Sequence, residues 1–130
     1  MKFRKFFENS ADFEIKLDEI GNISDIGVLK EIAENNPDYR FRLKAVEHIF
    51  DDDFLKRIVY SDSNRKVKVS AISNLKSQSI LDDIAENHSD CHVRIEAIKK
   101  IQDKSALERI NQVESNRHVK EFVLEKINQC

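Results

Sequence analysis

Leu29, Leu55, Leu81 and Leu107 recur every 26 residues, and their neighbours recur with them. Aligning on these leucines superposes Ile32, Ile58, Ile84 and Ile110, then Phe41, Val67, Val93 and Val119, then Ala45, Ala71, Ala97 and Val123, and finally Ile49, Leu75, Ile101 and Ile127. A period of this length marks a tandem array of small supersecondary units, none able to bury its apolar face alone. Five such units fill the 130 residues, at about 1–28, 29–54, 55–80, 81–106 and 107–130. They are expected to form one domain.

Within a unit the apolar residues fall into two clusters with helical spacing, as in Phe54, Leu55, Ile58, Val59 and then Val67, Ala71, Ile72, Leu75. The fold class expected is therefore all-α, with a short helix A and a longer helix B per unit. Residues able to accept hydrogen bonds from free N–H groups mark helix starts. Helix A is expected to begin after Gly27, Asp53, Ser79 and Ser105, with Ser79–Asp82 and Ser105–Glu108 resembling capping boxes. Helix B is expected after Asp38, Asn64, Asp90 and Asn116. A helix A of about seven residues does not persist alone, so units must stack. The first unit keeps the phase through Phe6, Asp12, Ile15, Leu17, Ile20 and Ile23 but has Glu19 at the alanine position, and the last has Glu121 where others carry Leu43, Val69 and Ile95. Both read as caps.

The composition, 40% apolar and 35% charged with one proline and two glycines, is that of a helical globular chain. There is no apolar run long enough to span a membrane. Met1 to Phe7 lacks the apolar stretch and cleavage site of a signal peptide. Cys91 and Cys130 form no C-x-x-C pair and suit a reducing compartment. A mature cytoplasmic protein, unattached to membranes, is the expectation.

Asp90-x-x-Val93-Arg94-x-x-Ala97-Ile98-x-x-Ile101, followed by Leu107-x-x-Ile110, resembles the short HEAT-like repeats of many bacterial and archaeal proteins. Leu55-x-x-Ile58 leading to Asn64-x-x-Val67-Lys68-x-x-Ala71-Ile72-x-x-Leu75 is a second copy, and Asp38 through Ile49 a third. The unit also approaches the leucine-rich-repeat variant, which leaves helix A as α or 3₁₀. The resemblance implies a right-handed α-solenoid superhelix of five 26-residue two-helix units. Many members of both families are scaffolds; a few HEAT-like proteins are enzymes, among them phycobilin lyases, alkylpurine DNA glycosylases and deoxyhypusine hydroxylase.

Helix B carries a basic ladder at Arg42, Lys68, Arg94 and Lys120. On a helical wheel it falls inside the core arc, where a cation needs a partner. The resemblance implies that partner, the capping Asp of a neighbouring unit. Asp38, Asn64, Asp90 and Asn116 thus join the ladder as structural residues. A second set, Arg40, Lys66, His92 and His118, points away from the core, with Arg65 and Arg117 beside two of its members. Cations in the first turn of a helix oppose its dipole unless an anion or carboxylate sits there, so these helix ends are either solvated surface or a binding surface. Only the third unit is strongly basic, with six cations (Lys56, Arg57, Arg65, Lys66, Lys68, Lys76) against one acid. Acidic neighbours, including the run Asp51–Asp53 read as a turn capped by Asp53, weaken attraction to a long polyanion. Phe122 lies on the line of Lys44, Ser70 and Glu96, outward on the wheel, as an anchor for a partner or a second copy, or folded back onto the carboxyl terminus. Phe3, Phe6, Phe7 and Phe13 are expected to pack the first cap.

No catalytic, cofactor or metal signature is present. His88 and His92 straddle a turn, His92 and His118 lie too far apart for one ion, no histidine precedes a glutamate, and neither glycine sits in a phosphate-loop context. Cys91 follows the cap Asp90 beside His92, but nothing orients that histidine as a catalytic base. The leading expectation is a non-enzymatic scaffold, monomer or weak homodimer, binding a protein or acidic peptide through Arg65, Lys66 and Lys68. Nucleic-acid binding through the third unit, and an activity like that of the phycobilin lyases, are the alternatives.

Overall fold

The computed structural model describes residues 15–129, so Phe3, Phe6, Phe7, Phe13, Asp12 and Cys130 lie outside the described residues. A 3₁₀ helix, Leu17–Asn22, leads into eight α-helices: α1 (Ile26–Asn35), α2 (Tyr39–Val46), α3 (Asp52–Ser61), α4 (Arg65–Asn74), α5 (Gln78–Asn87), α6 (Cys91–Lys99), α7 (Lys104–Val113) and α8 (Arg117–Gln129). The protein is all-helical, without a strand among the described residues. No helix among them is long and apolar enough to cross a membrane.

Consecutive helices pair as α1/α2, α3/α4, α5/α6 and α7/α8. The second helices of the pairs pack in a row, the 3₁₀ helix on α2, α2 on α4, α4 on α6 and α6 on α8. The recurring leucines form the spine between the layers. Leu55 and Leu107 are fully buried, as are Ala45, Ala71, Ala97 and Val123 of the second helices. Phe41, the bulkiest member of the valine column, stays half-buried against that core.

The second helices start where expected. Asp38, Asn64 and Asp90 each accept from the backbone N–H two residues on, and Asn116 accepts from Val119. The first helices start two residues earlier than expected. Asp25, Asp51, Ser77 and Asp103 are the caps, accepting from Gly27, Phe54, Ile80 and Ser105 respectively. Gly27, Asp53, Ser79 and Ser105 already lie within the first turn. The capping boxes proposed for Ser79 and Ser105 do not form; Ser79 meets Ser77 hydroxyl to hydroxyl and Asp82 takes the Gln78 amide. The earlier start lengthens each first helix to 10 residues of α-helix. Second helices, at 8, 10, 9 and 13 residues, are not systematically longer.

Candidate interaction surface

The ladder cations find their partners in the next pair, but not at its second-helix caps. Arg42 Nε and Nη2 lie 2.9 and 3.2 Å from the two oxygens of Asp62, and Nη1 donates to the carbonyls of Asn36 and Pro37. Arg94 repeats the arrangement on Glu114 at 3.0 and 2.8 Å, with Nη1 on His88 and Ser89. Each carboxylate also accepts a backbone N–H two residues on, Asn64 for Asp62 and Asn116 for Glu114. The capping residue is not the partner, since the caps of the next pairs are the uncharged Asn64 and Asn116. Such bidentate, nearly buried pairs hold the junctions.

The central junction departs from this. At the carboxylate position stands His88, only 4% exposed, its Nδ1 accepting from Asp90 N–H and its Nε2 3.0 Å from the Val59 carbonyl. Histidine reproduces the backbone contact but offers no anion, and the Lys68 ammonium has no ion pair or hydrogen bond among the described residues. The Lys120 ammonium also has none.

A second ladder, missed from sequence, joins the pairs end to end. Asn74 Nδ2 donates to the carbonyls of Val46 and Ile49 at 3.0 Å. Lys100 Nζ takes Ile72, Ser73 and Leu75 at 3.0, 2.9 and 2.7 Å, and Lys126 takes Lys99 and Ile101, both at 2.9 Å. Carbonyls at a helix end lack intrahelical partners and carry its negative dipole end, which suits an ammonium. Burial pulls the Lys100 ammonium below the ordinary lysine value, with the Asp52 carboxylate opposing it. The 26-residue column of donors was the available signal.

The outward cations divide. Arg40 turns back on Asp38 at 2.7 Å, and its hydrogen bonds hold that carboxyl below the ordinary aspartate value. Arg65 reaches forward to Asp90 at 3.0 Å, His92 leans on Asp90 at 3.4 Å, and Arg117 pairs with Glu121 at 3.2 Å. Burial pushes the Asp90 carboxyl up, but hydrogen bonds from the His92 N–H and Arg65 outweigh it and hold the group low. Lys66 and His118 are exposed and have no partner among the described residues.

Half of the third unit's six cations are answered by carboxylates of its neighbours. Arg57 meets Glu34 at 3.4 Å, Lys56 meets Asp83 at 3.7 Å, and Lys76 lies over the Phe50 ring at 5.8 Å. The run Asp51–Asp53 is also put to work. Asp51 caps α3 and pairs with Lys30 at 2.8 Å, while Asp52 accepts the N–H groups of Lys76 and Ser77. Asp53, expected to be the cap, is a first-turn residue.

Between α2 and α4 lies an open groove floored by half-buried Leu43 and Val69 and edged by Asn64, Arg65, Lys66, Ser70 and Glu47. Arg65 and Lys66 therefore share one site, whereas Lys68, Arg40, His92, Arg117 and His118 do not line it. Phe122 is half-buried and packs against the core rather than projecting. Asp90, Cys91 and His92 bring a carboxylate oxygen, a sulfur and a ring nitrogen within 4.8 Å of one another. The carboxylate there is already committed to its helix and to Arg65. No family model, no curated protein and no solved structure matches this chain.

Proposed function

We propose that the chain is a right-handed α-solenoid of five short HEAT-like repeats working as a non-enzymatic, cytoplasmic protein-binding scaffold. Its partner is a protein segment that combines an apolar side chain with acidic residues, bound on the face formed by the second helices. The observation that carries this reading is the α2/α4 groove, where Lys66 has no counter-ion beside an apolar floor of Leu43 and Val69. A bound carboxylate beside Lys66 would also face the positive dipole end of α4. Carboxylates of neighbouring units answer Arg57, Lys56 and Arg65, half of the six cations a nucleic-acid backbone would meet, which favours the protein partner.

The test is capture of partners from lysate of the protein's own source, with and without nuclease, followed by titration of the captured protein against Lys66→Glu and Val69→Asp variants. Binding through the groove predicts at least a tenfold loss for Lys66→Glu at unchanged thermal midpoint. A partner bound equally well by both variants sinks the placement. Capture that vanishes with nuclease and weakens steeply with salt points to nucleic acid instead.

A further inference from the structure

The groove between α2 and α4 has ends of opposite charge. At the amino end of α4 stands Lys66, exposed and without a partner among the described residues. At the far end, just past α2, stands Glu47, also exposed and met by Lys44 at 3.8 Å, a surface pair too weak to hold it. Glu47 occupies the repeat position of Ser73, so about seven residues of helix, or about 10 Å, separate the two charges along the groove. Leu43 and Val69, equivalent to one another, form the apolar floor between them. In the next groove along, Glu47 is replaced by Ser73 and Ser73 by Lys99, which turns to Glu96 at 3.0 Å, so that end carries no free acid. The walls are helices whose main-chain groups are paired along their own axes. An extended segment would bring backbone N–H and C=O groups that find chiefly the hydroxyls of Ser70 and Ser73 there, whereas a helix arrives with its backbone satisfied.

We propose, resting on the groove reading above, that the occupant is an amphipathic helix of the partner protein, laid antiparallel to α2 and α4. It carries a basic residue, an apolar residue about four positions later and an acidic residue about seven positions after the first, which a helix presents on one face. The spacing follows from the groove. Counting back along α4 from Ser73, the level of Glu47, four residues reach Val69 and three more reach Lys66. The base then meets Glu47, the apolar side chain settles on Leu43 and Val69, and the acid meets Lys66. An extended strand shows one face only every second residue, at about 7 or 13 Å, and matches the separation of the charges less well. Antiparallel docking also brings the carbonyl end of the incoming helix to the amino end of α4, where the two dipoles attract.

Titration of the isotope-labelled full chain with alanine-rich synthetic peptides of about 18 residues, long enough to be helical, tests this through amide chemical shifts. The first peptide carries lysine, leucine and glutamate at the stated spacing, the second exchanges lysine and glutamate, and the third is the first with a proline beside the leucine. The first should bind with a dissociation constant on the order of 0.1 to 1 mM, shifting residues of the groove, and about fivefold or more tighter than either of the others. Glu47→Lys should weaken it about fivefold, and replacing the peptide's lysine with glutamate should restore binding to that variant. Glu47 is exposed, so the variant should stay folded, and restored binding excludes misfolding as the cause. A first peptide that does not bind, exchanged or proline peptides that bind equally well, or binding indifferent to Glu47→Lys each overturn the proposal. With the partner captured from lysate, loss of affinity for Lys66→Glu but not for Glu47→Lys overturns the helical arrangement and leaves the groove reading standing. Indifference to both variants overturns both.

Discussion

The guanidinium of Arg42 grips both carboxylate oxygens of Asp62, a residue of the next helical pair, and with the side chain of Asp62 only 4% exposed the pair is nearly sealed from water. Removing one partner strands a charge that cannot be rehydrated in place. Asp62→Ala should therefore cost about 3–5 kcal/mol. Urea unfolding measures it, and a loss under about 1 kcal/mol would show that water reaches Arg42 after all.

The central junction offers the reverse experiment. Installing the outer junctions' chemistry with Lys68→Arg and His88→Glu should create a favourable coupling of about 1–3 kcal/mol between the two substitutions. His88→Glu alone gives up the ring contact to Val59 and should destabilise. A double-mutant cycle by chemical denaturation reads the coupling; additive effects would mean that the two positions do not meet.

Acid should weaken the fold through particular carboxyls. Asp38, Asp51, Asp83 and Asp90 are all held below the ordinary aspartate value of 3.8, so the unfolded chain binds more protons than the folded one at low pH. Their stabilisation is complete above that value and drains away as pH falls through the lowered ones. Asp90→Asn isolates one contribution, because Asn64 and Asn116 already cap equivalent helices. The variant keeps its cap but should lack, at neutral pH, the stabilisation that the ionised carboxylate adds, and its thermal midpoint should fall less below pH 3.8, where the parent gives that stabilisation up.

Lys100 completes the end of α4 with three donors for three carbonyls. Lys100→Leu keeps the bulk and strands those carbonyls, at a cost of about 1–3 kcal/mol. Lys100→Asn should be much milder, since Asn74 does the same work one unit earlier. Thermal unfolding of both variants separates this from a general dislike of change at the site, which would make the two equal.

The core was plain in the sequence because its columns are apolar at helical spacing; Leu29, Ile32, Ala45 and Ile49 are all buried where the period places them. The starts of the first helices were not. Polar residues recur both at 25, 51, 77 and 103 and two positions later, and either set offers acceptors. Gly27 betrays the second set, since it has no side chain to accept with. The Arg42–Asp62 pairing was hidden for a different reason. A separation of 20 residues belongs to no helical period and emerges only when one pair is laid on the next. Of the groove, Arg65 and Lys66 were visible as unpaired-looking cations, whereas Leu43 and Val69 read as ordinary core until the spacing of α2 and α4 left them half open.

The donors at Asn74, Lys100 and Lys126 give the chain a grammar for growing. Each unit carries the group that finishes the unit before it and leaves its own last carbonyls for the one after. A genetic duplication of any whole 26-residue block would bring its donor along and find an acceptor already waiting. One that slipped by a single codon would turn both ladders away from their partners at once. Selection on such a gene would tolerate changes of length in whole units and punish all others.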